Sequence, residues 1–302
     1  VEKIVRSTTI YLKKLSKQLR LLWQLVGLLL FEPSSCLLCQ VEIGINAEPD
    51  ESAGEIAPGQ SIAGKALIAR AAKMITLAEG SLCTECMSFF CSLTEVKTTL
   101  IGDDDGPAIC CFSSGFYNGP LQEAIYQIKY LKRPELARAL AFTMLPPTVA
   151  LFRTMKAYEI SDPAAITADV VVPVPLHKSK IKERGFNQAE ELAISVGRLL
   201  DLKVDGISLK RIRPTRPQFG LSRGERRRNL EGAFVASKAL AGKNVILVDD
   251  VLTSGATIYE CARAVTSAGG IVLGAITLAR AKWQKRGQPE DSTVVPAIAI
   301  VS

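Results

Sequence analysis

Val245-Ile246-Leu247-Val248 is a run of four apolar residues, three of them β-branched, the pattern of a strand buried on both faces as in a parallel sheet. Asp169 to Pro175 repeats the pattern and ends in prolines, Ile271 to Leu278 follows Gly269-Gly270 as another, and Cys110-Cys111-Phe112 suggests one more. Elsewhere the apolar spacing changes to three and four. Ile258, Cys261, Ala262 and Val265 share one helical face, as do Leu121, Ala124, Ile125, Ile128 and Leu131. Further helices are expected over 63–78, from about Glu135 to Met144 after the interruption at Pro134, and from Gln188 to Leu200, with Asn187 as N-cap and Glu190 as its reciprocal partner. The pattern predicts an α/β fold, a parallel sheet flanked by helices.

The most informative stretch is Asn244 to Ala268. Its strand carries Asp249 and Asp250 at the C-terminal end. Thr253-Ser254-Gly255-Ala256-Thr257 forms a small-residue turn, and a helix follows. Backbone N–H groups of such a turn, with the helix N-terminus behind them, suit a phosphate. Carboxylates repel phosphate; they are placed to accept hydrogen bonds from sugar hydroxyls or to hold a metal through water. Ribose 5-phosphate satisfies both halves. The acids are expected at a crevice and not in the core, so that losing one leaves stability little changed. VILVDDVLTSGAT resembles the motif that binds 5-phosphoribosyl 1-diphosphate (PRPP) in type I phosphoribosyltransferases, with each defining position filled. An NTPase reading fails because Gln60 replaces the lysine in Gly54 to Ser61, with Pro58 inside the loop.

Two basic stretches bear on ligand charge. Leu176 to Phe186 reads as a basic loop between a strand and a capped helix, where His177, Lys178, Lys180 and Arg184 suit a second phosphate; a solvated charge run is the competing reading. Lys210 to Arg228 has eight Lys/Arg, one acid (Glu225), two prolines and two glycines, and reads as non-helical for most of its length. Arg213, Arg216, Gln218, Arg223, Arg226 and Arg227 are its candidates for a flexible flap over pyrophosphate or a nucleic-acid strip, against a merely solubilising loop.

Cys36, Cys39, Cys83 and Cys86 stand in two C-x-x-C pairs and suggest one structural Zn²⁺ rather than disulfides. Their separation exceeds the usual ~15–20 residues, so an insertion is expected between them. Cys91, Cys110, Cys111 and Cys261 are read as reduced core residues. The 302 residues are 48% hydrophobic and 22% charged, which is globular. The net charge of +7 permits phosphate-rich partners. A single histidine, His177, weakens any histidine-based triad. Residues 1–20 are basic and Leu21 to Phe31 is apolar, too short to span a bilayer and followed by Glu32-Pro33 without a cleavage site; the expectation is a packed helix, no membrane span and a cytoplasmic protein. Gly102 to Pro107 reads as a linker. The expected division is an N-terminal helical segment 1–30, a zinc-binding module with insertion 31–101, a phosphoribosyltransferase-like domain 108–280 and a tail 281–302.

PVPLHKSKIKERGFNQAEELA, RPTRPQFGLSRGERRRNLEGAF and LVDDVLTSGATIYECARAV occur in that order, preceded by LLF-x-P-x-x-C, the C-x-x-C pairs and the helix Ile125-Tyr126-Gln127-Ile128-Lys129-Tyr130. Together, over about residues 28–280, they resemble the ComF family of competence proteins. The resemblance implies a type I phosphoribosyltransferase fold with a small N-terminal zinc module. It implies attack of a nucleophile at C1 of PRPP with Mg²⁺, through positioning and electrostatics, with no side-chain nucleophile. Asp249 and Asp250 would then be the catalytic pair. It also implies a link to DNA uptake, with single-stranded DNA and a helicase-like protein as partners, and leaves a homodimer open. The alternative function is a non-catalytic nucleotide sensor or single-stranded-DNA-binding module. Residues 1–20 and the insertion have no counterpart in the resemblance.

Overall fold

The computed structural model describes residues 35–41, 62–79, 81–102, 108–157, 167–215 and 223–282. The basic N-terminus, the apolar run at 21–31, most of the expected linker and the tail from 283 lie outside them.

A six-stranded sheet forms the centre, in the order β1-β2-β8-β7-β3-β4. Its strands are β1 (Lys97–Ile101), β2 (Ile109–Phe116), β3 (Val170–Pro173), β4 (Lys203–Val204), β7 (Asn244–Leu252) and β8 (Ile271–Arg280). All pairings are parallel except that of edge strand β1 with β2, which is antiparallel. The continuous apolar run is explained by burial on both faces. Val245, Ile246, Leu247 and Val248 are fully buried. Val245 and Leu247 share a cluster with Ile258, Cys261, Ala262 and Val265 of α9 (Ala256–Ser267). Ile246 and Val248 face the other way, into Leu192 and Val196 of α7 (Gln188–Leu200) and Leu121 and Ile125 of α3 (Gly119–Tyr130).

Between the Cys pairs, α1 (Ile62–Glu79) buries Ala71 and Ala78, and Arg70 reaches Asp201 at the end of α7 at 2.7 Å. The insertion thus contains a helix docked on the body. It returns the chain to α2 (Thr84–Cys91), which starts between Cys83 and Cys86.

Several expectations change. Leu131 is exposed, because α3 ends at Tyr130 and the chain turns through a left-handed Lys132. The helix expected to Met144 is α4 (Pro134–Ala139) followed by a 3-10 turn, and then by an unforeseen α5 (Leu145–Ala157). Pro146 and Pro147 look like breakers, yet they occupy α5's first turn, where the missing N–H groups would have had no helical partner. The expected basic loop contains helix α6 (Lys178–Arg184), capped by His177 Nδ1 accepting from Ser179 N–H and closed by left-handed Gly185. The expected flap ends in helix α8 (Arg223–Leu230) and begins in strand β5 (Leu209–Arg211), paired with β6 (Phe234–Ala236). Cys91 is exposed and Cys110 half-buried; only Cys111 and Cys261 of the leftover cysteines are core residues.

From β3 the chain passes through α7 to β4 on one side of the sheet; from β7 it passes through α9 to β8 on the other. The order therefore reverses between β3 and β7, and their carboxyl ends lie at the switch point where α/β sheets bind ligands.

Candidate functional site

Strand β7 runs through both acids to Leu252, so alternation sends the two carboxylates to opposite faces. Asp250 shares the face of Ile246 and Val248. It is 6% exposed, and Lys129 of α3 places its ammonium 2.9 Å from Asp250 Oδ2. This corrects the expectation of an open acid. The ammonium occupies one side of Oδ2, and no donor beyond Lys129 reaches that oxygen among the described residues. Burial works against the Lys129 charge, and the Asp250 carboxylate overcomes it, raising the ammonium's pKa. Asp249 is half-buried and accepts the Asp250 N–H at 2.8 Å. Burial first, and then the charge of Asp250, push its pKa up to about 7, against the pull of that N–H and of Lys129 and Arg211.

The turn after β7 ends in Gly255, which has φ +81 and serves as the N-cap of α9. A Cβ there would meet the Ile101 side chain at 2.6 Å, so glycine is required by both backbone and space. Thr253 is exposed, Ser254 and Thr257 are half-buried, Ala256 is buried, and the Ser254 hydroxyl is buried without a partner among the described residues.

Of the expected pyrophosphate group, Arg184 reaches this edge. It stacks over Tyr130 at 5.6 Å, donates to Gln188 Oε1 at 2.9 Å, and keeps a buried Nε without a partner among the described residues. Lys178 and Lys180 lie on the exposed side of α6, with Lys180 paired to Glu183 at 2.6 Å, and His177 serves as a cap. In the basic strip, Arg213 donates to the carbonyls of Asn229 and Glu231 at 3.2 and 2.7 Å and so closes the C-terminal end of α8. Arg223, Arg226 and Arg227 lie on α8; Arg216 and Gln218 fall outside the described residues.

Two residues were missed. Arg211 lies over Phe234 at 5.5 Å, bears on Asp249 electrostatically, and has a buried Nε without a partner among the described residues. Lys129 had a readable signal. Leu121, Ile125 and Lys129 follow one another at a spacing of four, so the lysine continues a buried stripe and needs a buried counter-charge.

Six buried side-chain atoms lack hydrogen-bond partners among the described residues, and four belong to this edge: the donors Arg184 Nε, Arg211 Nε and Ser254 Oγ, and the acceptor Asp250 Oδ2. Such groups are costly unless something pairs them. The complement is a ligand with anionic oxygens for the donors and a hydroxyl for the carboxylate.

At the opposite end of the described chain, the sulfurs of Cys36, Cys39, Cys83 and Cys86 lie within 4.8 Å of one another, with Cys39 and Cys83 at 3.6 Å. Tetrahedral thiolates at Zn–S of ~2.3 Å require S–S distances of about 3.8 Å, so the donor set fits. Burial would raise the Cys36 thiol, but backbone N–H groups of Cys39, Cys83 and Leu38 outweigh it and bring it to about 7. Burial and then the neighbouring sulfurs push Cys86 up. The cluster can hold a metal ion.

Competence protein F of Haemophilus influenzae is 32% identical over 170 residues, covering 55% of this chain and 71% of that protein. The chain belongs to the ComF family. DNA utilization protein YhgH of Escherichia coli K12 is 34% identical over 147 residues, 49% of this chain, and the match spans 61% of that protein's length. Competence protein ComFC of Bacillus subtilis is 34% identical over 107 residues, 33% of this chain and 39% of that protein. The phosphoribosyl transferase domain family matches residues 155–298. This ComF chain therefore carries a phosphoribosyltransferase-like α/β domain together with the cysteine cluster. Among the described residues no helix is long and apolar enough to cross a membrane.

Proposed function

We propose that this ComF protein binds PRPP with Mg²⁺ at the carboxyl edge of β3 and β7 and transfers its phosphoribosyl group to an acceptor. The observation that carries the reading is the set of unpartnered donors and the unpartnered acceptor around the two acids. A sugar phosphate answers both kinds. Thr253 to Thr257 would wrap the 5-phosphate with backbone N–H groups and hydroxyls. Asp250 would accept from the ribose diol on one face, with Asp249 on the other. Arg184 and Arg211 would face the diphosphate. Magnesium would arrive with the diphosphate, held by ligand oxygens with Asp249 on offer through water, and would neutralise leaving-group charge. The acceptor's lone pair forms the new bond to C1 while the C1–O bond to diphosphate breaks and its electrons leave with the diphosphate. Nothing in that sequence requires a protein nucleophile, so the chain's part is to position and to stabilise charge.

Calorimetry with PRPP and Mg²⁺ tests binding, and a screen of candidate acceptors for pyrophosphate release tests transfer. Saturable binding is expected in the parent, with affinity about tenfold or more weaker in the Asp249→Asn and Asp250→Asn proteins. Equal binding by both variants and the parent would overturn the site assignment.

A second reading rests on α8, whose sequence Arg223 to Arg228 is dominated by arginine, and on relatives named for DNA utilization and competence. It assigns to this helix a weak, sequence-tolerant hold on single-stranded DNA, with or without transferase chemistry.

A further inference from the structure

We infer that Lys129 is a positioning residue: its ammonium fixes the Asp250 carboxylate in the crevice and leaves that carboxylate's hydrogen-bonding capacity to a ligand hydroxyl. The inference rests on the sugar-phosphate reading and adds a residue to it. Lys129 comes from α3, which packs on the β7 face that carries Asp250, and its side chain is only 17% exposed. Burying an ammonium and a carboxylate together is seldom a gain in stability over two apolar side chains. The same helix buries Leu121, Ala124, Ile125 and Ile128 without difficulty, so an apolar residue fits this position. What the ion pair supplies is a charged oxygen held still. Its geometry supports this use. The 2.9 Å contact takes one side of Oδ2, and with no donor beyond Lys129 among the described residues the carboxylate keeps lone pairs for a ligand hydroxyl.

The surroundings hold the ammonium to this task. Arg184, stacked over Tyr130, is a second cation acting on Lys129 and repels it from the α6 side. Tyr117, just past β2, is a further titratable group that feels both Lys129 and Asp250. The counter-charges acting on Lys129 are Asp250 in contact and Asp249 beyond it. Asp249, on the opposite face, accepts the backbone N–H of Asp250.

The test titrates ribose 5-phosphate and inorganic phosphate into the full-length parent, Lys129→Met, Lys129→Arg, Asp250→Asn and the Lys129→Met/Asp250→Asn double variant. Lys129→Met should weaken ribose 5-phosphate by about tenfold while phosphate alone stays within about twofold. Lys129→Arg should recover part of the loss. In the Asp250→Asn background the lysine change should add little, since no carboxylate remains to be positioned. That double variant also leaves no buried unpaired carboxylate, so it remains informative if Lys129→Met folds poorly. Ribose 5-phosphate bound equally by parent and folded Lys129→Met, or losses that simply add in the double variant, would overturn the inference while leaving the sugar-phosphate reading standing. A parent that binds neither ribose 5-phosphate nor PRPP would end both.

Discussion

Asp250 shows how far a sequence reading reaches at a single residue. Its place in the last turn-ward residues of a buried strand, just before a small-residue turn, was legible. Its burial was not, because the partner lies on α3, distant in sequence, and no local pattern names a counter-ion. Removing one member of a buried pair typically costs about 3–5 kcal/mol. Asp250→Asn is therefore expected to lower the melting temperature as well as PRPP affinity, and a thermal melt compared with Asp249→Asn checks it. Asp249 makes a separate prediction about pH. Its pKa is raised to about 7 in the fold, above the ordinary carboxylate value. The sign is that its contribution to stability is fully present at low pH and is lost as pH rises through about 7. Ligand hydroxyls need the ionised acceptor, so PRPP affinity should rise over the same range. Titrations across about pH 6–8 should show that rise in the parent and a flatter profile in Asp249→Asn. Gly255→Ala should abolish phosphate-loop binding, because the left-handed backbone and the Ile101 side chain both exclude a Cβ; unchanged phosphate affinity would contradict that placement.

Among the elements, the long apolar strands and the amphipathic helices were readable, and Gln188–Leu200 emerges with the bounds its cap implies. Two helices were hidden by the composition of longer windows. Lys178–Arg184 had its own signals, a residue able to cap at His177 and a glycine at 185, but seven residues of mostly charged sequence looked like a loop. Arg223–Leu230 was averaged with the prolines and glycines that precede it. The helix changes what the basic strip offers. Arg213 closes its end through two carbonyls, leaving the arginines on α8 as candidates for an anionic partner. If single-stranded DNA is that partner, replacing Arg226, Arg227 and Arg228 by Ala should weaken binding and flatten its dependence on salt, since fewer counterions are released. Fluorescence anisotropy over a salt series reads this directly. An unchanged slope would move the strip's role to the diphosphate.

At the scale of the molecule, the cysteine spacing was readable as a metal site, but the way the pairs meet was not. A helix docked through Ala71, Ala78 and Arg70 leads the chain into the second pair. We propose one Zn²⁺ per chain, coupled to the folding of this region. Metal analysis should find zinc at unit stoichiometry. Chelation should expose all four thiols to alkylation and loosen the cysteine region before the sheet melts. Absence of zinc, with four thiols reactive in the native protein, would contradict the assignment.

The pairing of β2 with β8 has a consequence for where this domain can be cut. The region matched by the phosphoribosyl transferase family starts at residue 155, yet β2, its partner β1, and the helix bearing Lys129 all precede it. A fragment of residues 155–298 would keep the acids and the turn after β7 but leave the long, apolar β8 as a bare edge, an invitation to intermolecular pairing. It would also lose Leu121, Ile125, Met144 and Leu151 from one face of the core. Such a fragment is expected to aggregate on expression. The stretch matched by the family is thus not the unit that can stand alone in solution; autonomy begins upstream, with the segment that closes the sheet.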